Sequence, residues 1–205
     1  MKPWDFDFEI KTIATAFSHL VAPGRGNTPG AYYLEILGMA GFKLSELKLS
    51  GYFPGVVGKI TEEHGIYYYE NWGFDISFET QVGRELSEFL MDFAEKRDGF
   101  WVATIAGDFA GAIAIDGSQA GKEGARLRWF IVTPRFQGDG IGKRLLRESV
   151  KFCKEAGYKR VYLWTFKGLE TAGHLYEREG FRLCKAHEGR QWGQDIIEQM
   201  YELNL

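Results

Sequence analysis

Hydrophobic and polar positions alternate between two periods along this chain, and the change of period marks its elements. Between Ile76 and Arg97, the apolar residues Phe78, Val82, Leu86, Phe89, Leu90 and Phe93 recur at helical spacing. That stripe predicts an amphipathic helix with one buried face. Val56–Asn71 also reads as a helix, ending near Gly73, and a short strand is expected before it at Leu47–Tyr52. Phe100–Ile105 and Phe109–Ile115 flank Gly107-Asp108, the pattern of a hairpin. Leu127–Val132 is a strongly apolar strand that must stop at Thr133-Pro134, because proline cannot continue a central ladder. The turn Gln137-Gly-Asp-Gly-Ile-Gly142 then opens a helix whose inner face is Ile141, Leu145, Leu146, Phe152 and Cys153, and which stops at Gly157. Val161–Thr165 is a buried strand, Leu169–Glu179 a shorter helix stopped by Gly180, and Phe181–Ala186 and Ile196–Leu205 are strand-like. The predicted order, β–α–α–β–β–β–α–β–α–β–β, is that of a mixed α/β layer fold.

Residues 1–45 stand apart from this regular pattern. Helical stretches at Phe8–Leu20 and Ala31–Leu37 are separated by Pro23–Gly30, where five of eight residues are Pro or Gly. The expected organisation is an accessory helical segment over 1–45 and one domain over 46–205. The accessory segment is expected to pack on that domain or on a second subunit, which keeps a homodimer open.

Composition removes several function classes. The 205 residues carry 25 Lys and Arg against 28 Asp and Glu, a net charge of −3, so no general footprint for nucleic acid or anionic lipid exists. Hydrophobic residues make up 45% and charged residues 26%, as in an ordinary globular chain. Cys153 and Cys184 form neither a disulfide scaffold nor a Cys-x-x-Cys metal motif, and the histidines have no metal-ligand spacing. No metal is expected. The first residues are acidic and interrupted by charges, unlike a secretory signal, and no run of 18 apolar residues predicts a membrane span. The expected location is the cytoplasm.

The glycine turn is the first candidate for chemistry. A nucleotide-hydrolase phosphate loop would need Ser or Thr after Gly142-Lys143, and this chain has Arg144. A dinucleotide site would need Gly-x-Gly-x-x-Gly and an acid about 20 residues on; the spacing here is Gly-x-Gly-x-Gly, and the region around Lys159-Arg160 is basic. A third pattern, Gln-x-x-Gly-x-Gly, is met by Gln137, Gly140 and Gly142. With the strand Trp129–Val132 before it and Ala172-x-x-x-Tyr176-Glu-x-x-Gly180-Phe181 after it, the chain from about residue 46 onward resembles the GNAT superfamily of acyl-CoA-dependent N-acetyltransferases. His64–Glu79 further resembles the acetyltransferase half of MarR–GNAT fusion proteins, although 45 preceding residues are too few for a winged-helix module.

That resemblance implies an α+β fold: a mixed, mostly antiparallel, splayed sheet flanked by helices. It implies acetyl-CoA as acyl donor and an amine of a small molecule or peptide as acceptor. Physically, backbone N–H groups at a helix start, helped by the helix dipole, suit a diphosphate. The cofactor-binding expectation therefore covers Gln137, Gly138, Asp139, Gly140, Ile141, Gly142 and Lys143. Gln137 and Lys143 would add side-chain donors, and Asp139 would turn to solvent. The resemblance also puts the pantetheine arm along Phe130, Ile131 and Val132, whose N–H groups would polarise the thioester carbonyl. It puts a general acid at Tyr176, the reading favoured over an aromatic that merely packs on the inner face of a short helix.

Two positions depart from the family pattern. The strand Arg126–Val132 lacks the acid that many relatives carry there, and Leu169 stands where asparagine is common. Base candidates are then His64, Glu70, Asp75 and Glu79, although Asp75 equally reads as a helix cap. Tyr67, Tyr68, Tyr69, Trp72, Phe74 and Phe78 crowd the segment expected to frame the acceptor, as core or as a cage for a cationic amine. The rival to an enzyme is a sensory module that binds acyl-CoA without chemistry.

Overall fold

In the computed structural model, residues 46–205 are described, all within one compact unit. The expectations for residues 1–45 lie outside them. The order is β1 (Leu47–Ser50), α1 (Val56–Trp72), α2 (Ile76–Met91), β2 (Gly99–Ile105), β3 (Asp108–Asp116), β4 (Ala125–Val132), α3 (Ile141–Glu155), β5 (Arg160–Phe166), α4 (Glu170–Arg178), β6 (Arg182–Gln191) and β7 (Gln194–Asn204). The seven strands form one sheet in the order β1-β2-β3-β4-β5-β7-β6. All neighbours are antiparallel except β4 and β5. The expected fold class and element order are both found.

The sheet is covered on both faces, and its central strands β2 and β3 are accordingly buried almost without interruption. One face packs Ile141, Leu145, Leu146 and Cys153 of α3 with Leu163, Tyr176 and Phe181. The other packs Val56 and Ile60 of α1 and Phe78, Val82, Leu86 and Phe89 of α2 against Trp129 and Phe166. Burial pushes the Cys153 thiol up to about 12, so it is an inert packing group. Phe152, expected on the inner face of α3, is only half-buried and packs against Trp101 at the core's edge. Among the described residues no helix is long and apolar enough to cross a membrane.

Two elements differ in length from the expectation. The helix predicted to run to Arg97 stops at Met91. Asp98, only 1% exposed, accepts hydrogen bonds from the Ala94 and Gly117 N–H groups and pairs with Arg97 at 2.7 Å. A carboxylate that captures backbone donors in this way offers the chain a turn in place of another helical turn. β6 runs five residues further than Ala186, because the two-residue turn Trp192-Gly193, both at positive φ, continues the pairing to Gln191↔Gln194. Its polar, exposed side chains hide the strand from a hydrophobicity reading and suit a sheet edge.

Candidate active site

β4 and β5 touch only at their beginnings. Ala125 pairs with Val161 and Arg126 with Tyr162, and no pair follows. β5 instead stays with β7 along its whole length, from Arg160↔Asn204 to Phe166↔Glu198. The sheet therefore opens into a V, and a cleft of about 830 Å³ passes through it. That volume falls in the range of small-molecule sites. From Leu127 on, the β5-facing edge of β4 has no strand partner, and such an edge can pair with an extended ligand.

β4 also carries a bulge at the splay. Ala112 opposes Ile131 and Ala114 opposes Arg128, so Trp129 and Phe130 together face Ile113. Trp129 sits at φ 46°, a left-handed conformation that costs a bulky residue roughly 1–3 kcal/mol. The surroundings hold it there. Its ring packs on Phe89 at 5.1 Å, and the Arg128 guanidinium lies 4.0 Å from the ring centroid. The bulge reverses the alternation, so Leu127 faces α3, Trp129 faces α2, and Phe130 and Val132 return to the α3 face.

The glycine turn lies at the α3 mouth of the cleft. Gly138 and Gly140 take φ of 89° and 80°, and space in front of Gly138 is open. Gly140 is the N-cap of α3, and no side chain caps it. The first N–H groups of a helix have no intrahelical partner, so this end is left to an anion. A β-carbon on Gly142 would meet Phe130 at 3.3 Å, Leu175 at 3.4 Å and Val132 at 3.5 Å, narrowing the cleft floor. These residues fit the diphosphate and pantetheine of a coenzyme A thioester. Of the ten residues expected to hold it, all but Asp139 line the cleft. Gln137 serves differently from expected: its amide N–H donates to the Val132 carbonyl at 3.0 Å and closes the turn onto β4.

Tyr176 lines the same cleft at 5% exposure, with Phe130, Phe181 and Tyr201 ringed about 6 Å from it. Its hydroxyl makes no hydrogen bond to another described residue. Burial, then the neighbouring Tyr68 and Tyr201, push its pKa above the ordinary tyrosine range. The group is thus protonated at neutral pH, the form a proton donor needs.

The base candidates separate. Glu70 and Glu79 are exposed and do not line the cleft. Asp75 is the N-cap of α2 and accepts from the Ser77 N–H at 2.9 Å, so the capping reading holds. Only His64 faces the cleft, from the α1 face that repeats through Val56, Ile60, His64, Tyr68 and Trp72. It is 4% exposed, and its Nδ1 lies 2.8 Å from the Ile60 carbonyl, which assigns the proton to Nδ1. Burial lowers its pKa to about 4, so the ring is neutral and weakly basic. The cleft's own carboxylates come from residues that no motif marked, Glu85 of α2, Glu170 of α4 and Glu198 of β7. Glu85 is bound by Arg128 and by Gln81.

The aromatic segment also divides. Tyr67, Tyr68, Trp72 and Phe78 line the cleft, while Phe74 is core and Tyr69 is 67% exposed. Trp192, from the β6–β7 turn, closes this side. Its indole N–H donates to Gln81 at 2.9 Å, its carbonyl accepts from the Asp75 N–H, and Gln194 donates to the Gly73 carbonyl. Among the described residues no group of three His, Cys, Asp or Glu is arranged to hold a metal ion.

Several known proteins that this chain resembles are acetyltransferases. N-acetyltransferase 8 of Rattus norvegicus is 30% identical over 92 residues, covering 43% of this chain and 41% of that protein. The chain thus spans less than half of that relative. The uncharacterized N-acetyltransferase YjgM of Escherichia coli is 26% identical over 129 residues, 62% of this chain and 72% of its own length. The solved structure of yncA, a putative acetyltransferase from Salmonella typhimurium with its cofactor acetyl-CoA, superimposes with a TM-score of 0.60 at 13% identity. It covers 77% of this chain and 93% of the other, a likeness of fold. The family model described as the acetyltransferase (GNAT) family matches residues 57–181, more than half of the sequence. By that match, this chain belongs to the GNAT family of acetyltransferases.

Proposed function

We propose that this chain transfers an acetyl group from acetyl-CoA to a primary amine of a small molecule or peptide. The observation that carries the proposal is the cleft through the splayed sheet. An uncapped helix start and a free strand edge stand on one side of it, and a chamber of side chains stands on the other. When bound, acetyl-CoA supplies an acetyl group already activated as a thioester. The first N–H groups of α3 hold its diphosphate, and the free edge of β4 orients the arm. N–H groups beside the bulge at Trp129 stabilise the negative charge that develops on the carbonyl oxygen as the amine nitrogen attacks. Tyr176 gives its proton to the departing sulfur. The proton lost by the amine passes to water in the cleft, because His64 is too weak a base to keep it, and water returns a proton to Tyr176. The products are the N-acetyl amine and CoA thiol.

The test is a panel of primary amines with acetyl-CoA, read as free thiol. Steady thiol release with at least one amine is expected. Tight acetyl-CoA binding with no release for any amine would favour a sensory module, a rival favoured by the acid-free β4.

We also propose that residues 1–45 act as an accessory element, on the domain or on a second copy of the chain. A chain beginning at Glu46 that kept full stability, oligomeric state and turnover would remove that role. The likeness of residues 64–79 to MarR–GNAT fusions, and a cytoplasmic location, belong to the same proposal.

A further inference from the structure

A second cavity, of about 350 Å³, lies on the α2 side of β4 and shares Glu85, Arg126 and Arg128 with the main cleft. It is rich in arginine, and three of its four guanidinium groups are paired. Arg128 binds Glu85 and also Asp116 at 3.2 Å. Arg97 binds Asp92 at 2.8 Å and Asp98 at 2.7 Å. Arg84 lies 3.7 Å from Glu85.

Arg126 is the exception. It makes no ion pair or side-chain hydrogen bond with another described residue, and its buried Nε has no partner. The carboxylates around it are committed elsewhere. Glu85 and Asp116 hold Arg128, Asp116 also accepts from Ser118, and Glu123 accepts from the Tyr162 hydroxyl at 3.1 Å. Burial and the neighbouring Arg128 both work against its charge. Glu85 and Asp116 favour its charge only through space, and a half-buried guanidinium without a direct partner is costly unless a ligand supplies one.

Building on the acetyltransferase reading, we propose that Arg126 is the anchor for a carboxylate on the acceptor. The acceptor is then an amino acid, or another amine that carries a carboxylate. The N–H groups of Arg126 donate to the carboxylate oxygens, in the pairing that a planar guanidinium makes best. Arg126 precedes the bulge at Trp129 by three residues, roughly 10 Å along a strand. A guanidinium–carboxylate pair and the few bonds of an amino acid suit that gap, leaving the amine beside the splay. Tyr67, Tyr68 and Trp72 then face the amine and the side chain of the acceptor.

The test compares L-methionine, L-phenylalanine and L-glutamate each with its α-carboxamide, using the full chain with acetyl-CoA and free-thiol readout. The amide's amine is the less basic and so the more often neutral, which by itself favours the amide. The expected result is the opposite: each acid used is preferred over its amide by about tenfold or more in kcat/KM. Arg126→Gln abolishes that preference by raising the KM for the acid, with the KM for acetyl-CoA unchanged, and Arg126→Lys restores part of it. Equal use of acid and amide by the native chain, or a preference that survives Arg126→Gln, would overturn the proposal. If no amine releases thiol, the acetyltransferase reading is what fails. Calorimetric titration of the same pairs in the presence of CoA then decides the anchor: acid-selective binding lost in Arg126→Gln supports it, and equal binding overturns it.

Discussion

Where β4 leaves β5, one wall of the cleft is made by backbone and the opposite wall by side chains. The donor wall consists of the turn at Gly138–Gly142, the first N–H groups of α3 and the free edge of β4. Apart from Tyr176, its chemistry needs few particular side chains, and Gln137 spends its amide on closing the turn. The acceptor wall assembles His64 and Tyr68 from α1, Glu85 from α2, Arg126 and Arg128 from β4 and Trp192 from the β6–β7 turn. A backbone site tolerates sequence change if the glycines stay, because its donors belong to every residue. A side-chain wall changes with each substitution and so sets what the site accepts.

The contrast has one exception on the donor side, Tyr176, and that exception can be tested by itself. Tyr176→Phe removes one oxygen from an aromatic pocket, so packing and acetyl-CoA affinity should change little. Turnover should fall by about 10²- to 10⁴-fold, in kcat rather than in cofactor affinity. A Phe variant with more than about a tenth of the native kcat would return Tyr176 to the core aromatics.

A second expectation sharpens the acceptor wall through pH. The pKa of His64 falls from 6.5 to about 4 because folding buries it. Its stabilising effect is complete above pH 6.5 and is lost as pH drops toward 4, since the unfolded chain takes up the proton first. The loss over that window is about 3 kcal/mol. In urea unfolding at each pH, His64→Leu should flatten the stability curve between pH 6.5 and 4. An unchanged slope would mean that His64 is not held neutral.

The smallest effect separates a cap from a base. Asp75→Ala should cost about 1 kcal/mol by removing the N-cap of α2. Because Asp75 lies outside the cleft lining, kcat should stay within about twofold. A loss of several hundredfold in kcat at unchanged stability would restore Asp75 as the base.

The same contrast explains what could be read from residues alone. The glycine turn, the strand before it and the Tyr176 motif are short and contiguous, so one stretch of sequence displays most of the donor wall. Element order was equally legible, since Phe78, Val82, Leu86 and Phe89 mark their helix by period. The end of α2 was not, because Asp98 acts through hydrogen bonds to Ala94 and to Gly117, the latter 19 residues away. Glu85 and Arg126 look like ordinary surface charges on amphipathic elements. Only the crossing of α2 over the bulged β4 brings them to the cleft. Glu70 and Glu79 drew attention by lying near aromatics in sequence, but they are exposed and do not line it. Trp192 had one available signal, the Trp-Gly pair of a two-residue turn.

The central claim is that the donor wall is backbone opened by glycine, and Gly140 tests it most directly. At φ 80° it caps α3, where a valine side chain would be strained and would stand over the N–H groups to which the proposal assigns the diphosphate. Calorimetric titration of acetyl-CoA into Gly140→Val should show binding lost while the far-ultraviolet spectrum remains that of the folded chain. Native affinity in that variant would contradict the account.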